Sequence, residues 1–277
     1  MTDIVEKWRS SLLQHGEYNN RVYLMKLADA DGKEIIPYLN QLAKSHGYTK
    51  IFAKIPGRLK YDFEADDYVQ EAFIPQFYQL QEPVCFMAKF LNEDRKTDPN
   101  LERIKNVLKT AKAKAAAVDR VKLAPQFSFQ VATEDDIPQM VAVFKQVFAT
   151  YPFPIHDPEY IKKTMNRNVR YFLICKDEQA VAVSSAEIDF QGKNVEMTDF
   201  ATLPEYRGMG FALYLLYQME TVMKKTDIRC FHTIARAMSY GMNITFAKRG
   251  YKYSGTLVNN TNISGQLESM NVWYKIA

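Results

Sequence analysis

The sequence predicts a mixed α/β protein, an α+β arrangement on mixed sheets, built from two units. Three observations carry this. Strand-like and helical stretches alternate over roughly the first ninety residues. The composition changes abruptly between Asn92 and Gln126. From Phe127 a meander of strands precedes a glycine turn, an order foreign to a simple doubly wound sheet. The 277 residues also fit two domains on the usual scale of about 100–200 residues each. The expected division is a smaller N-terminal α/β unit over 1–95, a basic helical linker over 96–126 and a larger unit over 127–277.

In the first unit "RVYLMKLA" and "TKIFAKIP" read as strands flanking a helix, "KEIIPYLNQLAKSHG", which Gly47 ends. "EADDYVQEAFIPQFYQL" reads as a second helix and "VCFMAKFL" as a strand; Pro37 and Pro75 predict a late start or a kink in the two helices. In the linker Leu101, Ile104, Val107 and Leu108 recur at helical spacing. Its Lys and Arg residues suit either solvent or an acidic partner, and a solvated face is the commoner outcome.

In the second unit "FSFQVA" is a strand, and Thr133 with the acidic residues after it opens a helix through "IPQMVAVFKQVFATY". A short helix, "EYIKKTMNR", leads to the strands "YFLICKD", "AVAVSSAEIDF" and "VEMTDFATL". The helix "GFALYLLYQMETVMKK", the strand "RCFHTIAR", a helix around "MSYGMNITFAKRG" and the strands "YKYSGTLV" and "SMNVWYKI" complete it. A strand, helix and strand in the first unit echo "CFHTIAR", a helix and "NVWYKI", the pattern of a degenerate duplicated half-domain.

A net charge of +4 with a quarter of residues charged falls short of the basic asymmetry of nucleic-acid binders. A small polyanion remains a fitting partner. Cys85, Cys175 and Cys230 are dispersed in apolar runs, so they read as buried reduced thiols of a cytoplasmic protein. The N-terminus lacks the apolar block of a signal peptide, no run is long enough to cross a bilayer, and the four histidines show no metal spacing.

The most informative stretch is "ATLPEYRGMGFALYLLYQME". Gly208 and Gly210 sit at the mouth of a helix whose apolar stripe is Ala212, Leu215, Leu216, Met219, Val222 and Met223. A helix N-terminus offers unpaired N–H groups and a positive dipole end, and glycines let a ligand approach the main chain. The dinucleotide and P-loop patterns both fail here, because Leu213 stands where a small residue is needed and Gly-Lys-Ser/Thr is missing. What remains, Arg207-x-x-Gly210-x-Ala212, fits alone either a ligand-free turn or an anion cradle.

Its context decides. The turn follows a strand and opens an amphipathic helix, and "FAKRGY" supplies a helix-ending Gly250-Tyr251. The segment Phe127–Ala277 thus resembles the GCN5-related N-acetyltransferases, which implies their fold in the C-terminal half and acetyl coenzyme A as cosubstrate, with no metal. The resemblance implies a diphosphate held by Arg207, Gly208, Met209, Gly210, Phe211 and Ala212. It also implies a strand splayed at Phe200, Ala201, Thr202 and Leu203 that binds the pantetheine arm and polarises the thioester. Longer strings, "AEID", "EMTDFATLPEYRGMG", "TIARAMSYGMN", "GYKYSGTLVNNTNI", "ESMNVWYK", "VYLMKL" and "GYTKIFAKIP", are similar to the β-lysine N-acetyltransferases. That likeness spans nearly the whole chain and implies acetylation of the terminal amine of β-lysine to the compatible solute Nε-acetyl-β-lysine.

Such a reaction needs a neutral amine. Starting from a pKa near 10.4, reaching pH 7 costs roughly 4.6 kcal/mol, so a proton acceptor is the chief demand. Glu187, Asp189, Glu196 and Asp199 lie on the two strands before the turn. Alternation puts Glu187 and Asp189 on one face and Glu196 and Asp199 on opposite faces. We assign Glu196 as acceptor and Glu187 with Asp189 as binders of substrate ammonium groups.

Many relatives place a tyrosine acid where this chain has Phe246, so Tyr240, Ser239 and Tyr253 are the substitutes, Tyr240 first. Asn243 either bonds the cofactor arm or caps local backbone. Arg236, Asn259 and Asn260 are candidates for the substrate carboxylate in a loop, or turn formers; Glu268 is a candidate for the distal amine. His232 is a strand histidine beside the splay. The N-terminal unit either closes the cleft or forms a homodimer interface. Other small amines as substrate, and a coenzyme A sensor without turnover, are the alternative functions.

Overall fold

The computed structural model describes residues 3–115, 122–263 and 265–277. The first sheet has the order β1-β2-β3-β4-β6-β5. Its strands are β1 (Ile4–Trp8), β2 (Ser11–Gly16), β3 (Arg21–Lys26), β4 (Lys50–Pro56), β5 (Val69–Tyr78) and β6 (Glu82–Phe90), with helices α1 (Ile35–His46) and α2 (Lys60–Glu64). Gly47 ends α1 in the left-handed conformation at φ 67°, as its position predicts. α1 packs Ile35, Leu39 and Leu42 against Val22, Ile51 and Ile55.

Two expectations fail here. The stretch expected to be a second helix is mostly strand β5, because the chain turns at Asp67 (φ 62°) and then buries Ala72, Ile74 and Phe77. Pro75 is tolerated because β5 is a sheet edge, where a missing N–H breaks no ladder. Strands β1 and β2 were not expected: Glu6 and Lys7 interrupt β1, whose Ile4 and Val5 are exposed, and the adjacent Leu12 and Leu13 of β2 show no apolar alternation.

The connecting helix α3 (Leu101–Ala113) forms as expected but buries Ile104, Val107 and Ala111 and leaves Leu101 exposed. Ala111 and Leu108 join the core of the second unit. The basic run over 116–121 lies outside the described residues.

The second sheet runs β12-β13-β11-β10-β9-β8-β7. Its strands are β7 (Phe127–Val131), β8 (Val169–Lys176), β9 (Gln179–Asp189), β10 (Asn194–Thr202), β11 (Cys230–Arg236), β12 (Lys252–Ile263) and β13 (Gln266–Ile276). Helices α4 (Ile137–Val147) and α5 (Pro158–Met165) cover one face; α6 (Phe211–Met223) and α7 (Tyr240–Lys248) cover the other with α3. Thr133 and Asp136 form a reciprocal capping box before α4. The three cysteines are buried free thiols.

The echo in the sequence has a structural counterpart. In the first sheet β3 and β4 are parallel with α1 between them, and β2-β3-β4-β6-β5 are neighbours. In the second, β10 and β11 are parallel with α6 between them, and β9-β10-β11-β13-β12 follow the same scheme.

The sheets pack face to face through Phe52, Phe77 and Phe86 on one side and Leu257, Met270 and Val272 on the other. Edge strands β5 and β12 meet where Ser254 Oγ accepts from Phe73 N (2.8 Å) and donates to Phe73 O (2.6 Å). A bulge in β12 after Leu257, with Asn259 at φ 44°, turns carbonyls toward the first unit. There Lys50 Nζ donates to Val258 O (2.7 Å), Arg95 Nε to Asn259 O (2.7 Å) and Arg21 to Asn260 O. Burial pushes Lys50 down to about 8, against the opposing charge of Glu71.

Gly255 is required at this junction, since a Cβ would stand 2.0 Å from Glu71 O. Gly255→Ala is expected to lower the melting temperature by roughly 5–10 °C through overpacking. Calorimetry showing an unchanged transition would contradict the contact.

Candidate active site

β10 and β11 are paired only over Asn194–Glu196 and Cys230–His232. Beyond that point β10 continues to Thr202 and β11 to Arg236 without pairing each other, which opens the expected splay beside Phe200, Ala201 and Thr202. β10 leads through Leu203 into the glycine turn. Gly208 (φ 85°) and Gly210 (φ 80°) are left-handed and exposed, and nothing lies within 4 Å of where a Cβ would be. Phe211 anchors the helix start by packing edge-on against Phe127 at 4.8 Å. Among the described residues the main-chain N–H groups of residues 208–213 have no acceptor; the first helical bond is Tyr214 N to Gly210 O, 3.0 Å. The exposed Arg207 flanks them, its Nε donating to Thr202 O at 3.3 Å.

This array fits a diphosphate: free donors, the positive end of a dipole, and room against the backbone. The corresponding turn between β3 and α1 does not. There Asp31 N and Gly32 N are bonded to Ala28 O, Glu34 N to Asp31 O, and the Asp31 carboxylate accepts from Ser11 Oγ at 2.6 Å.

Beside the splay a row of side chains crosses the sheet: Glu187 on β9 opposes Glu196 on β10, which opposes His232 on β11. Glu196 Oε2 lies 3.6 Å from His232 Nε2. Burial alone would raise the Glu196 carboxyl, but His232, Lys54 and the Ile234 N–H outweigh it and hold it low. Glu187 has weaker support, from Lys54 and a hydrogen bond with Asn168. Its side chain is solvent-accessible, and desolvation by the surrounding protein together with the Glu196 charge pushes it up to about 7.

Asp199 corrects the alternation argument. Its left-handed backbone (φ 53°) sits in a β10 bulge between Thr198 and Ala201. The bulge turns its carboxylate to the Glu187 face, where it accepts from Ser185 Oγ (2.5 Å) and Tyr151 OH (2.5 Å). Burial raises this carboxyl, offset by those two hydrogen bonds. Tyr160 and Tyr171 also face this group, their phenols raised by burial and then by Asp199 and Glu187.

Residues of the first unit stand opposite, which sequence reasoning did not name although it gave closing the cleft as one of two roles for that unit. Tyr23, Lys54 and Tyr78 reach the field of the Glu187–Glu196 pair or of Asp189, and the Phe77 ring stands edge-on to His232 at 4.9 Å. One signal was available: in "TKIFAKIP" Lys50 and Lys54 share a strand face with Phe52, an odd place for cations on a solvated edge.

A sequence model of the Acetyltransferase (GNAT) family matches residues 139–251. The chain is 44% identical over 267 residues, 96% of both chains, to the β-lysine N(6)-acetyltransferase of Methanococcus maripaludis. The chain belongs to the GNAT acetyltransferase family. It is also 31% identical to the N-acetyltransferase YodP of Bacillus subtilis, over 96% of each chain. The β-lysine N(6)-acetyltransferase of Methanosarcina mazei is 29% identical, covering 88% of this chain and 97% of that one.

Within this GNAT site the remaining assignments fare unevenly. Asp189 shares the Glu187 face but sits at the cleft margin, 3.7 Å from Lys26 Nζ. Phe246 is fully buried against Phe200 and Tyr251, so no hydroxyl stands at the usual tyrosine position. Tyr240 is 41% exposed at the start of α7, and no contact links it to the Glu187–Glu196 pair. Ser239 caps α7, and Tyr253 bonds Thr256 at 2.6 Å.

Asn243 is spent internally: it donates to Arg236 O and Ser239 O and accepts from Asn271 and Trp273. Arg236 and Glu268 are joined to each other as a bidentate ion pair. Asn259 and Asn260 form no loop. They lie in the β12 bulge, where Asn259 Nδ2 donates to Arg95 O and Thr97 O. The Asn259 side chain thus helps join the units, while Lys50, Arg95 and Arg21 satisfy the carbonyls that the bulge displaces.

Proposed function

We propose that this enzyme transfers the acetyl group of acetyl coenzyme A to the terminal amine of β-lysine, yielding Nε-acetyl-β-lysine as a cytoplasmic compatible solute for osmoprotection. The observation that carries this is the 44% identity over 96% of the chain to a protein named for that reaction. The free amides of residues 208–213 and Arg207 would hold the diphosphate, and the splayed main chain from Phe200 to Leu203 the pantetheine arm. When bound, the cosubstrate supplies a thioester carbonyl open to attack by a neutral amine.

The chain's part is to bind an ammonium and remove its proton. We assign this to Glu187 and Glu196 as a coupled pair. Glu196, held ionised by His232, attracts the ammonium; Glu187, raised to about 7, is the member matched to accept a proton near neutral pH. This revises the division of labour expected from sequence, because a carboxylate held low is the weaker base. Asp199, fixed by Tyr151 and Ser185, adds negative charge beside the splay. The thiol leaving group, with a reference pKa near 8.5, departs with little assistance, so a buried phenylalanine at position 246 is compatible with turnover.

The N-terminal unit is read as a degenerate acetyltransferase-like half that has lost its anion turn and walls the cleft. Its matching strand order and internally bonded β3–α1 turn support this. A mass-spectrometric panel of β-lysine, α-lysine and spermidine with acetyl coenzyme A tests the function. We expect kcat/KM to be highest for β-lysine; a preference for either competitor, or coenzyme A binding without product, contradicts it.

A further inference from the structure

We propose that Lys54, on the N-terminal sheet, anchors the carboxylate of the substrate, so that selection of an amino acid over a simple polyamine comes from the first unit. This rests on the reading of the Glu187–Glu196 cleft as the amine site.

Strand alternation places Lys50, Phe52 and Lys54 on the face turned to the second sheet, since Lys50 reaches Val258 O and Phe52 packs in the shared core. Lys50 is bonded to Glu71 and to that carbonyl. Lys54 forms no hydrogen bond or ion pair among the described residues, although Tyr23, Tyr78, Glu196 and Glu187 surround it. Contacts on three sides fix the gap: Phe77 against His232, Lys26 against Asp189, and Gln79 N to Gly192 O at 2.7 Å. The gap also holds an unmet demand, because Nδ1 of His232, 2% exposed, lacks a partner among the described residues, and Nε2 has only the Glu196 carboxylate at 3.6 Å.

Charge decides what belongs there. Lys54 is the lysine or arginine whose field reaches both Glu187 and Glu196. Glu187 and Glu196, with Asp199 beside them on the same sheet face, thus share the cleft with one ammonium that no described side chain hydrogen-bonds. A molecule with two ammonium groups and one carboxylate complements that pattern. A plain diamine would bring two further cations beside Lys54 with no added anion to offset them, and a carboxylate placed away from Lys54 would meet like charge.

The test compares β-lysine with 1,4-diaminopentane, which is β-lysine without its carboxylate, in the wild type and in Lys54→Met. Kinetics and calorimetric titration are run on the full-length protein. Loss of a hydrogen bond to a charged group is expected to raise KM and Kd for β-lysine about 10- to 100-fold. The diamine should lose no affinity, because the variant also removes a cation beside its ammonium site; coenzyme A binding should stay within about twofold of wild type, the margin of a contact not made, and Lys54→Arg should recover part of the loss. Equal losses on both amines, or no loss on either, overturn the anchor alone. A wild type that neither binds nor acetylates β-lysine overturns the anchor and the proposed function together.

Discussion

Gly210→Glu is expected to abolish measurable coenzyme A binding, a loss of at least about 100-fold, while the protein remains folded. Each charge-assisted hydrogen bond forfeited is worth about 1.5–3 kcal/mol, and the new carboxylate would face the phosphates besides. The fold should survive because Gly210 is exposed with open space around it. The residue sits at φ 80°, so a side chain adds backbone strain of about 1–3 kcal/mol, tolerable against a typical stability of about 5–15 kcal/mol. Titration calorimetry beside a thermal melt reads both quantities. Wild-type affinity in a folded variant would refute the turn as the anion site.

The second large effect concerns the proton. Because kcat/KM reports the free enzyme, it should climb with pH through an apparent pKa of about 7 as Glu187 loses its proton and becomes able to accept one from the amine. Glu187→Gln should lower kcat by about 10²–10⁴-fold and remove that limb. Glu196→Gln removes the like charge that helps raise Glu187, so whatever activity survives should show the limb displaced to lower pH. Retention of both rate and limb in Glu187→Gln would transfer the base role to another group.

The glycine turn proposed to hold the cofactor was legible in the chain. Two glycines before an amphipathic stripe depend only on local backbone rules, and the turn stands where those rules put it. The catalytic side was less so, because it depends on register and irregularity. Glu187, Glu196 and His232 align only through pairing among three strands. Asp199 joins them through a bulge that strict alternation forbids. Asn259 and Asn260 carry turn-forming chemistry, yet the same chemistry lines a bulge clamped by Arg95 and Arg21 from residues far away in sequence. The placement of Lys54 near Glu187 and Glu196 was signalled only by its sharing a strand face with Phe52, because it arises from the facing of two sheets. β5 was misread because helix-forming Glu71 and Ala72 occupy positions that edge pairing and burial claim instead.

The most direct test of the account is a crystal structure with coenzyme A and β-lysine bound. It predicts the diphosphate on the amides of residues 208–213 beside Arg207, and the terminal amine of the substrate against Glu187 and Glu196. A diphosphate seated elsewhere, with those amides left without a ligand, would contradict it.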